Sequence, residues 1–231
     1  MRMHVTKFRL KPMSMVKVCR RSFVTRLVKR LVLLVALIAP TASCGDVVRQ
    51  GRAPVFLVID RLAAANGRLP DEFFSFLLSD VLTNITTPAP CTPARPCPTY
   101  FNDPGEVTLR LVPKDIGPPT GPTPLTTNNE VTITRYRVSY RRADGRNTPG
   151  VDVPYGFDGA VTVTVPSTGS IGLVFELVRH IAKYESPLVQ LKFNRTIIAS
   201  IAEVSFFGVD RVGNDVSVAG TMLIEFGDFG D

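Results

Sequence analysis

Residues equipped for chemistry are few and widely spaced in this chain. Its 231 residues include four Cys, two His and no Trp. Cys91 and Cys97 enclose the segment Thr-Pro-Ala-Arg-Pro. That spacing is not the C-x-x-C of a redox pair, and it points to a local disulfide stapling a proline-stiffened loop in an oxidising compartment. Outside the first 43 residues His180 is the single imidazole, and no second cysteine pair exists, so no metal site is expected. Glu176 lies four positions before His180. On a strand or a helix the two share a face, as a general base held by a carboxylate would. A solvated polar face is the plainer reading, and no G-x-S-x-G nucleophile signature accompanies the pair. No catalytic residue and no cofactor are assigned.

A second set of side chains suits binding rather than reaction. Arg135, Arg137 and Arg141 share strand parity and form a candidate interaction stripe, with Arg142 and Arg146 beside it. Such a stripe fits anionic headgroups, acidic glycans or an acidic partner. It equally fits the solvated face of an edge strand, where charge discourages edge-to-edge aggregation. Asp144, Asp152, Asp158, Asp210 and Asp215 sit in or beside turn sequences, where oxygen ligands for calcium gather, but no EF-hand spacing is present. Turn propensity accounts for them as well.

The net charge of +7 suggests a nucleic-acid binder until its distribution is read. Residues 1–43 carry ten Lys and Arg and no acid. The remainder holds seventeen cations against all twenty acids, so the basic character belongs to the leader and nucleic acid is not an expected partner. Within the leader, Arg26, Lys29 and Arg30 precede the apolar run Leu31–Ala39, which Pro40 and the small residues Thr41-Ala42-Ser43 end. Nine helical residues rise about 14 Å, too short for a hydrocarbon core of about 30 Å. Basic, apolar and small segments in that order predict a secretory signal peptide over 1–43, with Met13 or Met15 as an alternative start.

Thr41-Ala42-Ser43-Cys44 resembles the lipobox of bacterial lipoproteins, with Thr41 standing where that family most often has Leu. The resemblance implies cleavage before Cys44, a diacylglyceryl thioether on its sulfur and a lipidated tether over 44–52. Gly45 in place of Asp implies sorting to the outer membrane in a Gram-negative cell. Cysteine arithmetic agrees, because lipidating Cys44 leaves Cys91 and Cys97 as one pair. Simple secretion with a free Cys44 is the rival. Several acyl chains, at about 0.8 kcal/mol per buried methylene, would hold the protein on a membrane without spanning it.

From residue 53 onward the apolar residues repeat every second position, the period of half-buried strands. Val107, Leu109 and Leu111 alternate with Thr108 and Arg110. Val161, Val163 and Val165 alternate with Thr162 and Thr164. Ile171 to Leu177, Ile198 to Phe206 and Val216 to Phe226 follow the same pattern. Val55–Ile59 is continuously apolar, which predicts a strand covered on both faces or lying centrally. Phe73, Phe74, Leu77, Leu78, Val81 and Leu82 match helical spacing, with a short strand as the competing reading. In 130–142 the apolar parity switches between Ile133 and Tyr136, which predicts a β-bulge near Thr134-Arg135 or a strand changing sheets. The proline-rich segments 86–104 and 117–129 read as exposed loops.

Asp210-Arg211-Val212-Gly213-Asn214 resembles a turn near the end of bacterial immunoglobulin-like repeats. Tyr136–Tyr140 followed by Asp144-Gly145 resembles a fibronectin type III central strand and turn. Together with the strand count, these imply an all-β fold: one immunoglobulin-like antiparallel β-sandwich of about seven or more strands over 53–231, with Pro-rich loop insertions. The expected function is that of a non-enzymatic, membrane-anchored envelope lipoprotein whose sandwich meets an unknown envelope protein or glycan. The alternative is a carbohydrate- or calcium-binding accessory module, for which Tyr100, Phe101, Tyr155 and Phe157 are the available aromatics.

Overall fold

Alternating apolar residues become ten strands in the computed structural model, which describes residues 51–115, 117 and 124–230. Cys44 and the whole leader lie outside the described residues. The strands are β1 (Val55–Ala64), β2 (Phe76–Asp80), β3 (Thr83–Ile85), β4 (Cys97–Thr99), β5 (Asp103–Pro113), β6 (Val131–Arg141), β7 (Phe157–Val165), β8 (Ser170–Val178), β9 (Ile198–Asp210) and β10 (Asp215–Gly227). They form a three-stranded sheet ordered β1-β5-β8, a five-stranded sheet ordered β2-β10-β9-β6-β7, and the small β3-β4 hairpin. All pairings are antiparallel except β2 with β10, which run parallel. The fold is an all-β sandwich.

One apolar core fills the space between the larger sheets. Val107, Leu109, Val138, Val204, Phe206, Ile224 and Phe226 are fully buried there, each on the inward parity of its strand. Aromatic rings bridge the layers: Phe175 of β8 lies 5.2 Å from Tyr136 of β6 and 5.3 Å from Phe206 of β9. The Tyr140 hydroxyl donates to the Leu177 carbonyl at 2.6 Å, joining β6 to β8, and burial pushes its pKa far up. Tyr136 packs across Gly159, its register partner on β7. A Cβ there would fall 2.1 Å from the ring, so only glycine fits.

The parity switch in β6 is a bulge. Pairing with both β7 and β9 shifts register between Ile133 and Arg135, so Val131 and Ile133 on one side and Tyr136, Val138 and Tyr140 on the other all reach the core. The β9–β10 connection also follows its sequence. Asp210 accepts from the backbone amides of Val212 and Asn214 at 2.9 and 2.8 Å, and Gly213 takes φ +88°.

Two expectations, for β1 and for 86–104, are corrected, and the choice between helix and short strand over 73–82 is settled. β1 is neither covered on both faces nor central; among the described strands it lies at a sheet edge beside β5, and Phe56 is 54% exposed. The outward ring is shielded by Lys114, whose ammonium sits 5.0 Å from its centroid. Such aliphatic and cationic cover makes an outward apolar residue tolerable and blurs alternation. Of the segment 73–82, Phe76–Asp80 is a strand, because pairing with β10 overrides its helical spacing. Part of 86–104 is likewise structured: Cys97–Thr99 pairs with Thr83–Ile85, and Asp103 and Pro104 already belong to β5.

Candidate interaction surface at the far pole

The two ends of the sandwich are unlike. At the near pole, where Val55 begins β1, the connections β7–β8 and β9–β10 are short turns. The long connection 114–130 between β5 and β6 also lies at the near pole, whereas the opposite, far pole gathers 65–75, the β3-β4 hairpin with its flanks, 142–156 and 179–197. Cys91 and Cys97 are bonded there, with Cα atoms 5.4 Å apart, and close the loop beside β4.

Beneath these loops lies a polar cluster shielded from solvent. Asp103 is 0% exposed and Lys183 1%. The Asp103 carboxylate accepts from the Gly67 amide at 2.9 Å and from the Ser79 hydroxyl at 2.6 Å. Lys183 Nζ stands 3.1 Å from one of its oxygens and 3.0 Å from the other. One carboxyl thus ties the loop after β1, strand β2, the start of β5 and the 3-10 turn His180–Tyr184. Desolvation is the largest influence on it and raises its pKa above the usual carboxylate range. Nothing in the sequence singled out these residues, because Asp103 fell at the end of a proline-rich segment and a lone Lys in a 3-10 turn has no period.

On the outer surface Tyr100 stacks on Tyr184 with centroids 3.9 Å apart, and Lys192 Nζ covers both rings at 4.4 and 5.0 Å. Phe193 beside it is 92% exposed, and Val151, Tyr155, Ile181 and Ile197 are each at least half exposed. Near the same end, against the free side of β2, a cleft of about 410 Å³ is lined by Leu69, Phe74, Phe76, Leu78 and Phe229, with Arg68 and Glu72 among its walls. Concave apolar surface with a few polar groups is the usual form of a binding site.

Glu176 and His180 do not meet directly. Asn102 stands between them: its amide donates to Glu176 Oε1 at 2.9 Å, and its oxygen accepts the His180 backbone amide at 2.6 Å and faces His180 Nδ1 at 2.9 Å. The amide holds the turn against β8, a positioning role the spacing alone did not reveal.

Arg135, Arg137 and Arg141 all project from the outer face of β6, as their parity requires. The strand is not an edge; β7 and β9 flank it, so edge protection does not explain the stripe. Asp158 on β7 binds two of the three, Arg135 at 3.1 Å and Arg137 at 2.9 and 3.0 Å. The Arg137 hydrogen bonds first, then Arg135, hold the Asp158 carboxyl below the usual range. Arg135 also covers the Phe207 ring at 4.0 Å. Arg141 remains exposed. The turn aspartates have local partners of their own: Asp144 binds Arg142 and Arg146, Asp152 accepts from the Thr148 amide, and Asp210 serves its own turn. Among the described residues no three His, Cys, Asp or Glu side chains gather as metal ligands would. No family model, no curated protein and no solved structure matches the chain.

Proposed function

We propose that the protein is a non-enzymatic, membrane-anchored envelope lipoprotein, an immunoglobulin-like sandwich that presents its far pole to a partner. The observation carrying this reading is the polarity of the domain. The chain enters β1 at the near pole, while the disulfide-closed loop, the Tyr100–Tyr184 pair, the exposed Phe193 and Tyr155 and most of the long connections stand at the other end. A tether at Cys44 would lie only about ten residues before Val55. Extended, that is about 35 Å at most, which holds the near pole toward the bilayer and the far pole away from it. The immunoglobulin-like part of the reading is supported by the strand order: β1, β5 and β8 face a sheet holding β10, β9, β6 and β7, with β2 crossing to the second sheet.

Cys44→Ala is expected to move the protein from the membrane fraction to the soluble fraction, and inhibition of lipoprotein signal peptidase to leave the leader attached. A variant that stays membrane-bound would remove the anchor from the proposal. The display part has its own test. A photo-crosslinker at Phe193 is expected to trap a neighbour in intact cells, while one at Thr162 on the sheet face traps none.

A carbohydrate- or calcium-binding accessory role is the second reading, favoured by the half-exposed Tyr184 stacked on Tyr100 beside an open surface. Binding on a glycan array, or a thermal shift with calcium, would select it over a protein partner.

A further inference from the structure

The Asp103–Lys183 contact joins a primary amine to a carboxyl in a place water does not reach. Asp103 is held by the Gly67 amide and the Ser79 hydroxyl as well as by Lys183, both side chains are buried, and their positions in the chain are 80 residues apart. Lys183 Nζ is almost equidistant from the two carboxyl oxygens, at 3.1 and 3.0 Å, which places the nitrogen against the carboxyl as a whole. The two oxygens have different companions. Oδ1 accepts the Gly67 backbone amide, and Oδ2 accepts the Ser79 hydroxyl.

We propose that Lys183 and Asp103 condense into an intramolecular amide, a covalent cross-link between the 3-10 turn His180–Tyr184 and the start of β5. In water an ammonium and a carboxylate do not condense, because both are charged and hydrated. In this closed site a proton passes from Nζ to the carboxylate across the contact, leaving a neutral amine beside a neutral acid. The amine lone pair forms the Nζ–Cγ bond, and Oδ1 takes the negative charge under the Gly67 amide, as an oxyanion-hole donor would receive it. The Cγ–Oδ2 bond breaks. The Ser79 hydroxyl is placed to hand a proton to the departing Oδ2, and it recovers one from Nζ. One water leaves and no redox partner is consumed. Burial raises the Asp103 pKa, the direction that favours the acid over the carboxylate. Fixed juxtaposition of the two groups supplies an effective concentration on the order of 10⁵ M or more when the attack geometry is reached.

Peptide mass spectrometry on the purified full-length chain, reduced, denatured and digested with trypsin, tests this. Cleavage after Lys183 is expected to vanish. The segment His180–Lys192 should be found joined to the peptide ending at Arg110, lighter than the two together by one water. Lys183→Arg keeps the ion pair but cannot condense, and should release both peptides separately. Asp103→Asn should give the same joined product with loss of ammonia in place of water. Recovery of free His180–Lys183 in the same yield as its neighbours would overturn the proposal. So would a missing water that maps to Asp144-Gly145 or Asp158-Gly159, where cyclisation to a succinimide loses the same mass.

Discussion

Asp158 carries a charge balance that reaches across two strands. Its carboxyl lies below the usual range because Arg137, then Arg135, hydrogen-bond to the ionised form. A carboxyl depressed in the folded state contributes stability above its unfolded pKa and loses it as pH falls through the lower, folded value. The pair is solvent-exposed, so its contribution is small and salt-sensitive. Arg137→Ala is expected to move the Asp158 titration up toward the ordinary carboxylate value, followed by carboxyl chemical shifts against pH. An unmoved titration would show that Arg135 alone holds the charge. The stripe was readable at this scale because parity places arginines on one face. Asp158 as their partner was not, since cross-strand register depends on where the bulge at Ile133–Arg135 falls.

Elements with a regular period were readable, and those governed by a neighbour were not. β5, β7, β8, β9 and β10 follow the two-residue alternation closely enough to be read, and β6 betrays its bulge by changing parity. β1 and β2 depend on what lies beside them: an edge position exposes Phe56, and parallel pairing with β10 makes a strand of a segment with helical spacing. Pro98 sits inside β4 because a two-stranded hairpin leaves one side of each strand free of ladder bonds. The best-specified connection is β9–β10. Gly213→Ala places a Cβ in the left-handed region at φ +88° and is expected to cost about 1–2 kcal/mol, measured by urea denaturation. A cost near zero would mean that the turn relaxes to another type.

For the molecule as a whole, the far pole was half legible. The cysteine pair, the proline-rich loop and Tyr100 stand out in the sequence, whereas Asp103, Lys183, Ser79 and Asn102 are single polar residues without pattern. Replacing Cys91 and Cys97 together by Ser is expected to lower stability by no more than about 2–3 kcal/mol, because a ring this short removes little chain entropy. Hydrogen exchange should quicken in the β3-β4 hairpin and stay unchanged in β9 and β10. Spread of that change into the core strands would show that the staple supports the whole sandwich.

The parallel pairing of β2 with β10 also decides how the molecule bears load. Five register pairs, Phe76 with Leu223 through Asp80 with Gly227, join a strand near the chain's beginning to its last. Traction on the two ends slides these strands lengthwise past each other, so the hydrogen bonds must rupture together rather than one by one. A domain drawn between the entry to β1 and the exit from β10 would therefore load this seam in shear, together with the nine-pair ladder of β1 with β5.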